Sequence, residues 1–214
     1  MALTKISRGL LNTGISDSSD ATAITIDSSE DVSVGGDLAV TGASTAASYN
    51  GITSKTFGTS SIMIGDNATG TIDAANYNTG VGVDVFAALT TGDNNTALGF
   101  SSGVGLTTGS NTVAVGSYAA QNLTTGSNNT AVGNATLGAT GSTAVTGADN
   151  TAIGNSALLA ITTGANNVAI GSTALDANTT ASNNTAVGYA SLGANTTGTN
   201  NAALGKNSLP ANTT

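Results

Sequence analysis

One short phrase, Asn-Asn-Thr-Ala-Val-Gly at residues 128–133, recurs in edited form from about residue 60 to the C-terminal end of the chain. When the glycine of each copy is taken as an anchor, seven of the eight intervals between anchors have the same length as that from Gly116 to Gly133. The interval from Gly133 to Gly154 is longer, which predicts one four-residue insertion between Leu137 and Asp149. The anchors are Gly65, Gly82, Gly99, Gly116, Gly133, Gly154, Gly171, Gly188 and Gly205. A period this strict predicts an all-β solenoid-like array whose units stack only on their neighbours.

The columns of the repeat predict how each unit is built. The residue before each anchor is aliphatic and the one before that is nearly always alanine, which predicts a short strand with a small side chain on one face. A leucine four residues after the anchor predicts a second, weaker strand in the last five units. These leucines are Leu137, Leu158, Leu175, Leu192 and Leu209. Thr-Thr-Gly-x-Asn, as at 124–128 and 162–166, predicts a tight turn because Gly and Asn tolerate positive φ.

The supply of apolar side chains per unit is small. Hydrophobic residues make up 39% of the chain, but many of them are alanine, and aromatic residues are only 3%. Burial of a Val or Leu contributes about 1.5–3 kcal/mol, whereas ordering costs about 1–2 kcal/mol per residue. We therefore expect the aliphatic residues to form the core of each chain, and identical chains to associate so that the alanine-rich face is buried as well.

Charge is sparse and acidic. Four basic residues stand against twelve acidic ones, for a net charge of −8, and none of the basic residues lies between Lys55 and Lys206. This predicts that the array does not bind nucleic acid, because such binding rests on neutralising phosphates with Lys and Arg. There is no Cys, no apolar run near the ~18 residues of a membrane span and no signal-peptide-like apolar stretch, so synthesis in a cytoplasm without membrane insertion is expected.

Residues 1–59 differ from the array. Residues 1–20 place apolar side chains at the spacing of one face of a short helix, with two of the four basic residues among them. They read either as a frayed terminus with an apolar anchor or as an attachment arm that docks on an acidic partner. The arm residues are Leu3, Lys5, Ile6, Arg8, Leu10 and Leu11. Residues 21–59 predict three short strands followed by a Ser/Ala/Thr-rich connector, and residues 60–214 form the array.

No catalytic, cofactor-binding or metal-binding residue is predicted. His and Cys are absent, so the usual nucleophilic triads and soft-metal sites cannot be assembled. Asp66, Asp73, Asp84 and Asp93 are close enough in sequence to supply a carboxylate pair for glycoside hydrolysis. Their interpretation as solvated turn residues is favoured, because a sugar-cleaving groove would need aromatic platforms and only Tyr77 and Phe86 are near in sequence.

Two further sets carry weaker hypotheses. Phe100, Tyr118 and Tyr189 follow an anchor by one or two residues, where packing on a neighbouring coil is favoured over contact with a receptor. Threonine stands three residues before several anchors, similar to an ice-binding array, although the column is interrupted. Its members are Thr79, Thr96, Thr130, Thr151 and Thr185, with Val113, Val168 and Ala202 at the interruptions.

Two resemblances extend this interpretation. The segments at 1–6, 23–27 and 36–42 resemble the N-terminal region of marine bacteriophage tail-fibre and related virion proteins. The phrase Asn-Thr-Ala-Ile-Gly-x-x-Ala-Leu at 150–158 resembles the head repeats of trimeric autotransporter adhesins, which also recur in phage fibres. That resemblance implies a left-handed parallel β-roll that forms a homotrimer with its threefold axis along the fibre. The repeat unit of this chain is longer than that of the adhesins.

Together these observations predict a non-enzymatic structural component of a phage tail fibre or spike. Its N-terminal arm would bind another virion or tail protein, its shaft would project toward the host, and a host surface glycan or protein would be a further partner. The alternatives are a bacterial surface trimeric adhesin, disfavoured because no secretion signal is evident, and a polysaccharide depolymerase. Because the last unit is regular and no capping unit follows it, we also expect further sequence beyond Thr214.

Overall fold

The computed structural model describes residues 54–55, 62–64, 74–138, 141 and 143–213. This part of the chain is a parallel β-solenoid with about 17 residues per turn, so the predicted all-β solenoid is confirmed. The described residues contain no helix, and accordingly no helix able to cross a membrane. The predicted arm in residues 1–20 and the three strands predicted before residue 43 lie outside the described residues.

The strands form a single sheet whose order follows the sequence, and each has three residues except the first, which has two. The strands are β1 (Ser54–Lys55), β2 (Ile62–Ile64), β3 (Thr79–Val81), β4 (Thr96–Leu98), β5 (Val113–Val115), β6 (Thr130–Val132), β7 (Thr151–Ile153), β8 (Val168–Ile170), β9 (Thr185–Val187) and β10 (Ala202–Leu204). β1 runs antiparallel to β2, and β2 to β10 are all parallel. Equivalent residues of successive repeats are paired, as in Ala131 with Ala152.

The four-residue insertion leaves this register unchanged. β6 and β7 pair like every other neighbouring pair, although the interval between their anchors is the long one. The extra residues lie between Gly138 and Val145, and Val145 forms a bridge with Leu123 of the preceding coil. Val145 is buried, so the chain returns to the core before the next strand.

The interior of the solenoid is the reverse of the one expected. The alanine column is buried, and the aliphatic column lies on the outer face of the sheet. The buried alanines are Ala97, Ala114, Ala131, Ala152, Ala169, Ala186 and Ala203. Side chains from the opposite wall of the coil, such as the fully buried Leu158 and Leu175, leave room only for a small residue on the strand. The expectations that the aliphatic column forms the core and that the alanine face is left for other chains are therefore wrong.

In the first described coils, a larger side chain on one wall of the interior is matched by a smaller residue on the strand that faces it. Phe86 stands where the next two coils have Gly103 and Ala120 and the coils from Leu137 onward have Leu, and Gly80 stands where later coils have Ala. A Cβ placed on Gly80 would lie 3.2 Å from the Phe86 ring and 2.9 Å from Val85. A Cβ on Gly103 of the next coil would also lie 3.2 Å from that ring. The larger aromatic side chain thus occupies the space that side chains on Gly80 and Gly103 would need.

The predicted second strand is not formed. The leucines four residues after the anchor are buried except Leu209, but they adopt left-handed backbone angles, with φ of 60° at Leu137 and 51° at Leu158. The residue two before each of them is left-handed as well, as in Ala135 at 49°. Two left-handed residues within three positions curl the chain back tightly, and extended pairing is lost there.

The positive φ predicted for the tight turn is confirmed at its asparagine, whereas its glycine is required for a different reason. Asn128 and Asn166 adopt φ of 60° and 58°. Gly126 and Gly164 are not left-handed; a Cβ on Gly126 would collide with the carbonyl oxygen of Gly147 in the next coil. Glycine is therefore needed in this turn because successive backbones approach closely, not because of its φ.

Candidate interaction surface

An asparagine ladder runs through the solenoid and fixes the positions of its surfaces. The ladder consists of the residue four before each anchor, and it is fully buried in most coils. Its buried asparagines are Asn78, Asn95, Asn129, Asn150, Asn167 and Asn184. In a typical member, Nδ2 of Asn150 donates to the carbonyl of Gly164 at 3.0 Å, and Oδ1 accepts from the backbone N–H of Asn167 at 3.1 Å. Every coil that carries such an asparagine is thereby joined to the next by side-chain bonds as well as backbone bonds.

The ladder was not predicted from the sequence, although a signal for it existed. The position five before the anchor is Asn in six of the eight described coils, with Tyr77 and Asp149 as the exceptions, and the position four before it is Asn in all except that of Thr112. A positive φ accounts for asparagine in the first of these columns but not in the second. A buried amide that must both donate and accept does account for the second column.

Thr112 is a natural defect in the ladder. Its hydroxyl is buried and has no hydrogen-bond partner. We expect Thr112→Asn, which would restore a donor toward Gly126 and an acceptor toward Asn129, to raise the free energy of unfolding by about 1–2 kcal/mol. Thermal unfolding checks this prediction, with Thr112→Val as the control that only removes the orphan hydroxyl. A melting temperature for Thr112→Asn below that of the parent chain would contradict it.

A second ladder of threonine hydroxyls supports the turns. The Oγ1 of Thr90 donates to the carbonyl of Thr107 at 3.0 Å, that of Thr107 to Thr124 at 3.0 Å, and that of Thr124 to Val145 at 3.1 Å. The same bond joins Thr162 to Thr179 at 3.0 Å beyond the insertion. The Thr-Thr pairs are therefore part of the stacking and not only of the turn.

The outer face of the sheet carries a continuous surface without charged residues. We call it the outer stripe; it consists of the first and third residues of β3 to β10. These are Thr79, Val81, Thr96, Leu98, Val113, Val115, Thr130, Val132, Thr151, Ile153, Val168, Ile170, Thr185, Val187, Ala202 and Leu204. Leu98 is 47% exposed, and Ile153 and Ile170 are each 38% exposed. The aliphatic side chains that were expected inside are therefore the ones available for contact.

The aromatic residues that follow the anchors lie on the surface. Phe100 and Tyr118 belong to successive coils, and their rings meet edge to face with centroids 5.2 Å apart. Both remain more than one third exposed. Tyr189 is also exposed, and the Nζ of Lys206 in the next coil lies 5.7 Å from its ring centroid. The prediction that these side chains pack on a neighbouring coil is confirmed for Phe100 and Tyr118, while contact with a receptor stays a prediction.

The carboxylates considered for sugar cleavage do not form a cluster that the structure describes. Asp66 and Asp73 lie outside the described residues. Asp93 Oδ1 accepts a hydrogen bond from the backbone N–H of Asn76 at 2.6 Å, and the backbone N–H of Asp93 donates to Ser110 Oγ. Both bonds join the turns of neighbouring coils. The part of the chain with assigned positions has no group of three or more acidic, His or Cys residues that could hold a metal.

Asp176 is the one described carboxyl group with a clear shift in acidity. Burial raises its pKa above the ordinary value, because desolvation disfavours the charged form. Backbone hydrogen bonds from Asp176 and Ala177 act in the opposite direction. Among the described residues no second carboxylate contributes to this shift, so it follows from the position of Asp176 on the coil.

Comparisons with known proteins give no match for this chain. No protein family, no curated protein and no solved structure is significantly similar to it. The interpretation of these surfaces therefore rests on their own geometry and chemistry.

Proposed function

We propose that this protein is a non-enzymatic structural component of a bacteriophage tail fibre or spike. The observation that carries the proposal is the solenoid itself. From β3 to β10 it adds one coil after another without a change of register, with buried ladders between the coils. Such an array has a fixed direction and length, which suits a shaft that holds two ends apart.

The proposed partners are another virion or tail protein, further copies of this chain and the host surface. The N-terminal arm, Leu3 to Leu11, attaches to another virion or tail protein, and the chain assembles with its own copies as a homotrimer. A glycan or protein of the host surface is the distal partner, with no binding residues assigned. The protein is made in the host cytoplasm and resides in the virion.

Deletion of residues 1–20 tests the attachment role. The array should stay folded, because each of its described coils pairs with its neighbours in sequence, and incorporation into particles should be lost. Quantitative mass spectrometry of purified particles measures incorporation, and circular dichroism of the isolated chain measures folding. Normal incorporation of the folded, shortened chain would contradict the assignment of the arm.

Two further measurements distinguish the alternative functions. Peptides of this chain in a bacterial envelope fraction, in place of phage particles, would favour a surface adhesin. Release of reducing sugar from a host polysaccharide by the purified protein would favour a depolymerase. The proposed shaft predicts neither result.

A further inference from the structure

We propose that Asn178 and Asn195 hold one ordered water molecule inside the solenoid, where the water donates a hydrogen bond to the side-chain oxygen of each. The two asparagines belong to successive coils, so the water joins one coil to the next. The site is independent of the proposed function, because it rests only on buried groups of this chain.

The two asparagines occupy an interior column that is apolar in the earlier coils. The column consists of the residue seven after each anchor, with Val145 in the coil of the insertion. The backbone is alike in both parts of the column, because the N–H groups of Leu106, Asn178 and Asn195 each donate to the carbonyl three residues earlier at 3.1 Å. Asn212 follows in the last coil but is only partly buried. The buried apolar members are Leu89, Leu106, Leu123, Val145 and Ile161.

The amide nitrogens are bonded, and these bonds fix the direction of the two side chains. Nδ2 of Asn178 donates to the carbonyl of Ala181 at 3.1 Å, and Nδ2 of Asn195 donates to that of Gly198 at 3.0 Å. Reversing either amide would turn its oxygen toward a carbonyl, which cannot donate. Both Oδ1 atoms are buried and have no hydrogen-bond partner among the described residues. A buried acceptor without a donor is costly, so a donor is expected at this place.

The spacing of the coils suits a single bridging water. Asn178 and Asn195 make the same backbone and side-chain bonds one coil apart, so their Oδ1 atoms are expected about 4.8 Å apart. A water about 2.8 Å from each oxygen makes an angle of about 120° between its two hydrogen bonds. That angle is close to the angle between the two hydrogens of a water molecule.

The change of side chain also provides room for the water. Asparagine is smaller than leucine or isoleucine, so less of the interior is filled by the column at Asn178 and Asn195. The buried leucine three residues earlier is the same in these coils as in the coil before them, as Leu158, Leu175 and Leu192 show. It does not grow to fill the difference. A polar site with two acceptors and room for one molecule meets the requirements of a buried water.

A water is favoured over a metal ion at this site. Calcium takes about 6–8 oxygen ligands, and burial of an uncompensated charge costs far more than burial of a neutral molecule. The site offers two neutral amide oxygens, and buried leucines stand three residues before them at Leu175 and Leu192. Within the described ranges no group of three or more acidic, His or Cys residues is present to hold a cation.

A high-resolution crystal structure of the full chain tests the site. We expect one density peak between the two side chains, about 2.8 Å from each Oδ1. The variant Asn178→Leu/Asn195→Leu should lack the peak and stay folded, because earlier coils carry the buried Leu106 and Leu123 at this position. A space without a peak, or an Oδ1 that accepts from a protein N–H, overturns the proposal.

A cation is the outcome to be separated from water. A peak about 2.4 Å from both oxygens has the bond length of a cation and overturns the proposal. Thermal unfolding in sodium chloride and in choline chloride at equal concentration provides an independent check. A bound water predicts the same melting temperature in both salts, whereas a higher value in sodium chloride identifies an ion.

Nuclear Overhauser measurements test the site in solution. The side-chain amide protons of Asn178 and Asn195 should show cross-peaks to a long-lived water, with the sign of a molecule that tumbles with the protein. Asn183 is the control, because it is exposed and contacts only rapidly exchanging water. Cross-peaks of the same sign at all three residues, or none at the buried pair, would show that no water is held between them.

Discussion

Replacement of Gly133 by alanine is expected to lower the free energy of unfolding by at least about 3 kcal/mol. Gly133 has a φ of +138°, which side-chain-bearing residues rarely adopt. A Cβ there would also lie 2.5 Å from the carbonyl oxygen of Gly154 and 2.8 Å from Thr136 Oγ1. The oxygen belongs to the backbone of the next coil and cannot move aside without opening the stack. Thermal and denaturant unfolding of the variant measure the loss.

Gly205→Ala separates the two causes. Gly205 belongs to the same column and has a φ of +119°, but a Cβ there would meet nothing within 4 Å. The control therefore keeps the backbone strain and removes the collision, and we expect it to lose only about 1–3 kcal/mol. Equal losses for the two variants would show that crowding between coils is not what requires glycine.

The second large effect is expected from Asn150→Asp, which changes one ladder residue without changing its shape. The carboxylate would be fully buried and would turn an oxygen toward the carbonyl of Gly164, where the amide now donates at 3.0 Å. The N–H groups of Asn167 can still serve the other oxygen. We expect a loss of about 3–5 kcal/mol at pH 7, the usual cost of a buried charge without its partner.

This loss should depend on pH with a defined sign. Burial and the facing carbonyl raise the pKa of the new carboxyl group in the folded chain above the ~3.9 of an unfolded Asp. The folded form therefore binds the proton more tightly, and the penalty grows as pH rises through ~3.9 toward the folded pKa. Below that range the protonated group can donate to Gly164, and most of the stability should return.

Asn183→Asp is the matched control for the ladder variant. Asn183 is exposed in the neighbouring column, where Asp149 already occurs. It should cost less than about 1 kcal/mol and show little dependence on pH. An Asn150→Asp chain as stable at pH 7 as the Asn183→Asp chain would mean that the buried amides do not hold the coils together.

The sequence predicted the period, the position of the strand before each anchor, the insertion and the left-handed asparagines, because each depends on local spacing or on one residue's backbone preference. It did not predict which face of the strand is inside. Val and Ile are more apolar than Ala, so transfer energy alone places them in the core. The width of the interior decides which face of the strand points inward, and that width depends on the residues on the other side of the coil. The exchange of Phe86 and Gly80 for Leu and Ala was the visible sign of it.

The ladder was missed for a related reason. Asparagine beside glycine in a turn has a sufficient local explanation in its tolerance of positive φ, which holds at Asn128 but not at its neighbour Asn129. Only the comparison of two adjacent columns across many units separates the residue that shapes the turn from the residue that joins the coils. A repeat protein provides that comparison within one chain.

The insertion between Gly138 and Val145 shows that the number of residues in one coil can change without a change in the spacing between successive strands. Four residues are added there, and yet β6 and β7 keep the same pairing as coils without an addition. A solenoid built in this way can accept additional residues in one coil while the spacing between its strands stays constant. The Gly138–Val145 segment is therefore the place to graft a foreign peptide as a marker, at a fixed distance along the array set by counting coils.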